Sequence, residues 1–329
     1  MHKRPMSASQ ITLAIFACLA VALVVFTQWQ VRRIEALYPP RGAFVEIAGG
    51  RMHLTQKNAT GSARANVLLI HGASGSEADM MAPLGDALAE RGFNVYAIDR
   101  PGQGYSDRLG GENPALQANL ILEAMHKHGV ESVIVVAHSL AGIAATNLAL
   151  DHKAFVHGLV LVAPVTHPWP GGAISWYYKP AALPVIGAIF SNTLAMPAGL
   201  ALLDRMLEAI FAPQTPPADY AQKTGAERVL RPTSFAANAR DVAGSFAFVT
   251  RQAPRLKDIT APTAIVTGDA DTIVLTHIHS YGSARDIPGA TLRILPGVGH
   301  SPHWANPMAV VEAVEAVAAR MTIAQPARP

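Results

Sequence analysis

Short apolar runs alternate with amphipathic stretches through most of this chain. After Pro39-Pro40, "FVEIAGGRMHLTQ" predicts two strands joined at Gly49-Gly50, a hairpin signal. "NVLLIHG" predicts a buried strand, Asp79 to Arg91 a helix with one apolar side, and "FNVYAIDR" the next strand. Asn113-Pro114 has the form of an N-cap followed by proline at the first helical position, opening a helix to about His128. "SVIVVAH" is a strand, Leu140 to His152 a helix, and "VHGLVLVAP" a strand again. The rhythm stops after Pro164 and resumes near Ala261. There "PTAIVTGDAD" and "TLRILPG" are strands, while Thr276 to Arg285 and Pro307 to Met321 are helices. Near-continuous apolar strands separated by helices predict an α/β fold, with a mostly parallel central sheet covered on both faces.

Two segments depart from that rhythm. Between the halves of the sheet, Pro164 to Ala261 is rich in Pro, Ala and Leu, and Pro180 to Leu203 carries no charge. Pro180, Pro184 and Pro197 argue against a second membrane span there. Short helices packed as a cap over the sheet are the expectation, with the Trp176–Tyr178 aromatics as cap core or substrate wall. The other segment is N-terminal. From Ile11 to Phe26 no residue is charged and only Thr12 is polar. With Gln10, Thr27 and Gln28 it approaches the roughly 20 residues of a transmembrane helix, and Trp29 suits the interface. A secretory signal would end in a small-x-small site. Only Ala20-Val21-Ala22 fits that pattern, and cleavage there leaves "LVVF" exposed. An uncleaved single-pass anchor is therefore expected, with a secreted or periplasmic form after cleavage as the alternative. His2, Lys3, Arg4, Arg32 and Arg33 put positive charge on both flanks. The short N-terminal tail then favours a globular part on the non-cytoplasmic side. The resulting division is anchor and linker 1–40, core 41–163, helical cap 164–260 and core again 261–329.

Composition narrows the chemistry. The 329 residues carry a net charge of +3, and only 15% are charged. Lys and Arg are scattered, without a basic stripe, so no nucleic-acid partner is expected. The one cysteine, Cys18, rules out an intrachain disulfide. It lies mid-way along the apolar segment, with Phe16 where a lipoprotein signal needs a small residue, so it is read as a small hydrophobe. Thirteen histidines raise the question of metal. Neither His277-x-His279 nor His126-x-His128 has a carboxylate or thiol at ligand spacing, and no H-E-x-x-H occurs. No metal or other cofactor is expected.

The reactive side chains gather at strand ends. His71-Gly72 closes one predicted strand, Asp99 another, Ser139 a third, Asp271 a fourth and His300 a fifth. Open α/β sheets bind ligands at the carboxyl ends of their strands. With these residues the chain resembles the α/β-hydrolase fold superfamily from about Phe44 to Met321. "AHSLAG" stands at the nucleophile elbow, "GDADTIV" at the acid and "GVGHSPH" at the histidine. "LLIHGASG" is similar to the oxyanion loop, and "DRPGQGYSD" to the turn after the following strand. The resemblance implies Ser139 as nucleophile, His300 as base and Asp271 as its partner, with Ala73 and Leu140 offering backbone N–H groups to an oxyanion. His71, Gly72 and His138 would support the site. The usual elbow is G-x-S-x-G, whereas Ala137 and Ala141 flank Ser139 here.

Each of these residues has an ordinary reading as well. Ser139 alone would serve as an N-cap. Asp269 competes with Asp271, and the family spacing favours Asp271. His303 competes with His300, and "GVG" marks His300; His303 is placed at the mouth of the site. Asp99 is assigned to holding the Gly102 and Gly104 turn. The expected activity is hydrolysis of a small-molecule or lipid-like carboxylic ester with an apolar part, with the membrane as a second partner. Within the same fold the alternatives are a cofactor-free haloperoxidase or perhydrolase, a carbon–carbon bond hydrolase and an acyltransferase. A non-catalytic, membrane-anchored binding protein is the alternative of another class.

Overall fold

The computed structural model describes residues 7–109, 113–172 and 174–324. The residues after Ala324 and the basic residues His2, Lys3 and Arg4 lie outside the described residues. Eight strands form one sheet: β1 (Ala43–Ile47), β2 (Gly50–Lys57), β3 (Ala65–Ile70), β4 (Phe93–Ile98), β5 (Val133–His138), β6 (Val156–Val162), β7 (Thr263–Gly268) and β8 (Thr291–Leu295), in the order β1-β2-β4-β3-β5-β6-β7-β8. The β1–β2 hairpin turns at Ala48-Gly49, with Ile47 facing Gly50 across it. Both strands are antiparallel to their neighbours, and all pairings from β4 to β8 are parallel.

Alternate residues of each strand point to opposite faces, so a fully apolar strand fills two cores. Leu68 and Ile70 belong to one, with helices α3 (Pro114–Lys127) and α4 (Ala141–Asp151) above them. Val67 and Leu69 belong to the other, against α2 (Glu77–Glu90) and the long C-terminal helix from Pro307 to Ala324. Asn113 caps α3 as predicted, its side chain accepting from Ala115 N at 3.0 Å. Register aligns the carboxyl ends: Ile70 pairs with both Ile98 and Ala137, and Ala137 with Leu161. His71, Asp99 and Ser139 therefore leave the sheet at one edge.

The 164–260 insert is helical, but its helices are not all short. It holds α5 (Tyr178–Ala182), α6 (Pro184–Thr193), α7 (Ala195–Phe211), α8 (Tyr220–Thr224) and α9 (Pro232–Gln252), the last of 21 residues. Pro232 sits at the start of α9, where its missing N–H leaves no hydrogen bond unmade, and no proline follows within the helix. α6 and α7 meet at a 68° bend. Trp176 is 77% exposed, which removes it from the predicted cap core; Tyr177 and Tyr178 are half-buried.

α1 spans Ala8–Leu37, beyond the apolar stretch that predicts it. Ser7 and Gln10 close a capping box at its start. Ile11, Leu13, Phe16 and Trp29 are exposed, whereas Thr27, Gln30 and Ile34 are buried. Ile34 packs against Met196 of α7 and Leu230. The last turns of α1 are thus part of the globular body, and its first turns project as one apolar helix long enough to cross a membrane.

Candidate active site

The sharp turn between β5 and α4 carries Ser139, whose φ is +54°. A side-chain-bearing residue in this left-handed region costs about 1–3 kcal/mol and persists only where its surroundings enforce it. Here Ser139 N donates to Val162 O at 2.9 Å, and Ser139 O accepts from Gly142 N and Val165 N, each at 2.9 Å. The tightest approach falls one residue beyond the usual second elbow glycine. A Cβ on Gly142 would lie 3.0 Å from Pro164 Cβ and 3.1 Å from Val165 O. That places the constraint on Gly142 and leaves room for the methyl of Ala141. α4 begins at Ala141 rather than Leu140, which occupies the N-cap position.

Ser139 Oγ lies 2.9 Å from His300 Nε2, and His300 Nδ1 lies 2.7 Å from Asp271 Oδ2. Asp271 Oδ1 accepts from Ile273 N at 2.8 Å and Val274 N at 2.9 Å, which orients the carboxylate. Asp269 is a turn residue: its Oδ1 accepts from Gly297 N at 2.7 Å. The structure thus brings together Ser139, His300 and Asp271, residues separated by up to 161 positions, and leaves Asp269 out.

The loop after β3 lies against the elbow, since a Cβ on Gly72 would sit 3.0 Å from Ser139 Cβ. Among the described residues, no acceptor faces the backbone N–H of Ala73 or of Leu140. His71 is fully buried and shapes the loop: its Nδ1 donates to Gly72 O at 2.9 Å while its Nε2 accepts from Arg100 N at 3.0 Å. Burial, with the Arg100 charge adding to it, lowers its pKa to about 4, so the ring is neutral. His138 Nε2 donates to His300 O at 2.9 Å, tying the serine strand to the histidine loop. Burial holds its pKa well below the ordinary value.

His303 is not at the mouth of the site. It is 1% exposed, with Nε2 3.7 Å from Asp79 Oδ2 and its ring 4.3 Å from that of His138. It lies in the short helix Pro302–Ala305, where it is buried. Asp79, His138 and His303 could together approach a metal ion, as could His53, Glu77 and Asp99. In the second group Asp99 is already saturated: it accepts from Glu77 N at 2.9 Å, from Tyr105 N at 2.9 Å and pairs with His53 Nδ1 at 2.7 Å. In the first, Asp79 Oδ1 is occupied by Tyr220 Oη at 2.9 Å and Trp304 Nε1 at 3.0 Å. Asp99 performs the assigned turn role, because Gly104, at φ +49°, comes so close that a Cβ would lie 2.0 Å from its carboxylate.

The insert supplies residues that no motif marks. Leu140, Ile143 and Val274 of the core pack with Val249, and Trp169, Val242 and Phe248 press on the same cluster. Ser139 is 6% exposed beneath them. Asn238 and Asp241 of α9 bond to the loops after β3 and β4, Asn238 Oδ1 accepting from Ser74 N at 2.8 Å and Asp241 Oδ2 pairing with Arg100 Nη1 at 3.0 Å. Only Arg100 lay inside a recognised stretch, and nothing in that stretch separates it from a surface cation.

Residues 67–314 match the alpha/beta hydrolase family. The chain belongs to that family. This alpha/beta hydrolase is 25% identical to a 2-hydroxy-6-oxononadienedioate/2-hydroxy-6-oxononatrienedioate hydrolase of Paraburkholderia phymatum, over 78% of this chain and 88% of the relative. It is 31% identical to the dihydrolipoyllysine-residue acetyltransferase component of an acetoin cleaving system of Cupriavidus necator. That match covers 45% of this chain and 40% of the relative's length. Among solved structures, a bacterial membrane phospholipase A superposes with a TM-score of 0.63 at 19% identity, covering 95% of this chain and 99% of that one. The match shows the alpha/beta hydrolase fold, and the hydrolases among the relatives support a hydrolase.

Proposed function

We propose that this hydrolase cleaves carboxylic esters bearing an apolar group, through an acyl-enzyme on Ser139. The observation that carries the reading is the unbroken hydrogen-bonded line Ser139 Oγ, His300, Asp271 at 2.9 and 2.7 Å. A serine hydroxyl becomes a useful nucleophile only beside a base. His300 Nε2 takes the proton as Oγ attacks the acyl carbon, and Asp271 fixes the tautomer and stabilises the imidazolium. Ala73 N–H and Leu140 N–H meet the developing oxyanion, the latter with the positive end of α4 behind it. His300 then protonates the leaving alcohol, and water attacks the acyl-enzyme by the reverse route. Residues 164–260 act as the cap, and the apolar cluster of Trp169, Val242, Phe248 and Val274 supports an apolar substrate. α1 anchors the chain in a membrane, with the hydrolase on the non-cytoplasmic side.

A fluorophosphonate probe should label the full chain on Ser139, and Ser139→Ala should abolish both labelling and p-nitrophenyl ester turnover. Turnover that survives in S139A would end the serine reading. The likeness to the Paraburkholderia hydrolase favours a second reading, carbon–carbon bond cleavage of a 2-hydroxy-6-oxodienoate by the same side chains. Faster turnover of such a dienoate than of any ester in a graded chain-length panel would select it.

A further inference from the structure

Arg100 is the largest fully buried side chain among the described residues, and a cation so placed must be held by specific partners. Its Nε donates to His71 O at 3.0 Å and its Nη2 to Gly72 O at 3.1 Å. Gly72 O also accepts from His71 Nδ1 at 2.9 Å. Two donors therefore fix the direction of one carbonyl. A trans peptide is planar, so the C=O of Gly72 and the N–H of Ala73 point in opposite directions. Whatever holds the first aims the second, and the Ala73 N–H is the donor assigned to the oxyanion.

Arg100 is itself held from the insert. Its Nη1 meets Asp241 Oδ2 at 3.0 Å, while Asp241 Oδ1 accepts from Arg108 Nη1 at 2.9 Å and Gln117 Nε2 at 3.0 Å. One turn earlier on α9, Asn238 Oδ1 accepts from Ser74 N at 2.8 Å and Asn238 Nδ2 donates to Ser74 Oγ at 3.0 Å. Residues three apart share a helix face, so a single face of α9 grips the loop on both sides of Ala73. Ser74, at φ +57°, is strained and depends on such a grip.

We infer that Arg100 is a positioning residue for the oxyanion hole, and that Asp241 and Asn238 make the hole conditional on α9 being seated. Movement of α9 away from the core would break both ties and misaim the Ala73 N–H. Closure over bound substrate restores them. The inference rests on the serine reading above.

The test uses the full chain carrying Arg100→Lys, Asp241→Asn or Asn238→Ala, with S139A alongside. Lysine keeps the charge but not the fork that reaches two carbonyls at once. Removing an oxyanion donor outright costs about 10²–10³ in kcat; misaiming it should cost about 10- to 100-fold, with KM within about threefold. A trifluoromethyl ketone of the substrate's acyl chain adds to Ser139 as an oxyanion, whereas the matching secondary alcohol does not. Affinity for the ketone should fall in parallel with kcat/KM, and affinity for the alcohol should not. Unchanged kcat in all folded variants, or equal loss for ketone and alcohol, would overturn the inference. If R100K fails to fold, D241N and N238A decide by the same criteria. Persisting turnover in S139A would instead sink the underlying serine mechanism, so the two failures are told apart.

Discussion

Two aspartates two positions apart illustrate how far a residue can be judged from its neighbours. Asp269 and Asp271 both follow β7, and only the family spacing separates them in the sequence. In the fold, Asp271 meets His300 Nδ1 at 2.7 Å, while Asp269 caps the turn at Gly297. Asp271→Asn should lower kcat by about 10⁴, because the amide favours the wrong imidazole tautomer. Asp269→Asn should leave kcat nearly intact and cost only a turn hydrogen bond. Steady-state rates of both variants on one ester check the assignment, and a larger loss in D269N would reverse it. Arg100, Asn238 and Asp241 were not legible in this way. Arg100 and Asp241 are 141 positions apart, and neither lies in a periodic pattern that predicts their meeting.

At the scale of elements, apolar periodicity located the strands of the sheet, because their residues serve two buried faces and leave no polar phase. The insert was harder to read. Its helices pack on one another and on α1, so their apolar positions follow several directions at once. α1 was legible as an apolar helix but not as a structural member of the body, since Gln30 and Ile34 fall after the apolar run. A form beginning at Gln28 should leave the membrane fraction yet keep its Tm, because Ile34 still covers Met196 and Leu230. A form beginning at Arg41 should melt several degrees lower. Within the full chain, Ile34→Ala should cost about 2–5 kcal/mol, read by urea unfolding. Equal melting of the two shortened forms would show that the docked turns contribute nothing.

Across the molecule, buried histidines set the response to acid. His71 and His279 have their pKa lowered to about 4, in both cases first by burial, and His138 is lowered too. In the unfolded chain each titrates near about 6.5. Between those values the unfolded state binds protons that the folded state refuses, so stability falls as pH drops from about 6.5 to about 4. The slope is roughly 1.4 kcal/mol per pH unit for each such group. Two groups act in the opposite sense. Burial opposes charge on His53, but Asp99, Glu77 and the Arg41 carbonyl together raise its pKa, and burial with the Asp99 charge pushes Glu77 up to about 7. They are two groups against three, so the net slope is shallower than the three histidines alone would give. The urea midpoint should therefore fall steadily between pH 6.5 and 4.5, and a flat or rising midpoint would refute this account.

The sequence alone determined the sheet, the order of Ser139, Asp271 and His300 along it, and the apolar N-terminal helix. Those features are written in short-range periodicity and in turns that demand particular residues. The tertiary structure decided what surrounds them: that Asp271 rather than Asp269 meets His300, that His303 lies inside, and that α9 holds the loop beside Ser139. Each of these depends on hydrogen bonds between residues far apart in the chain. Such bonds are set by the packing of whole elements, and local pattern does not encode them.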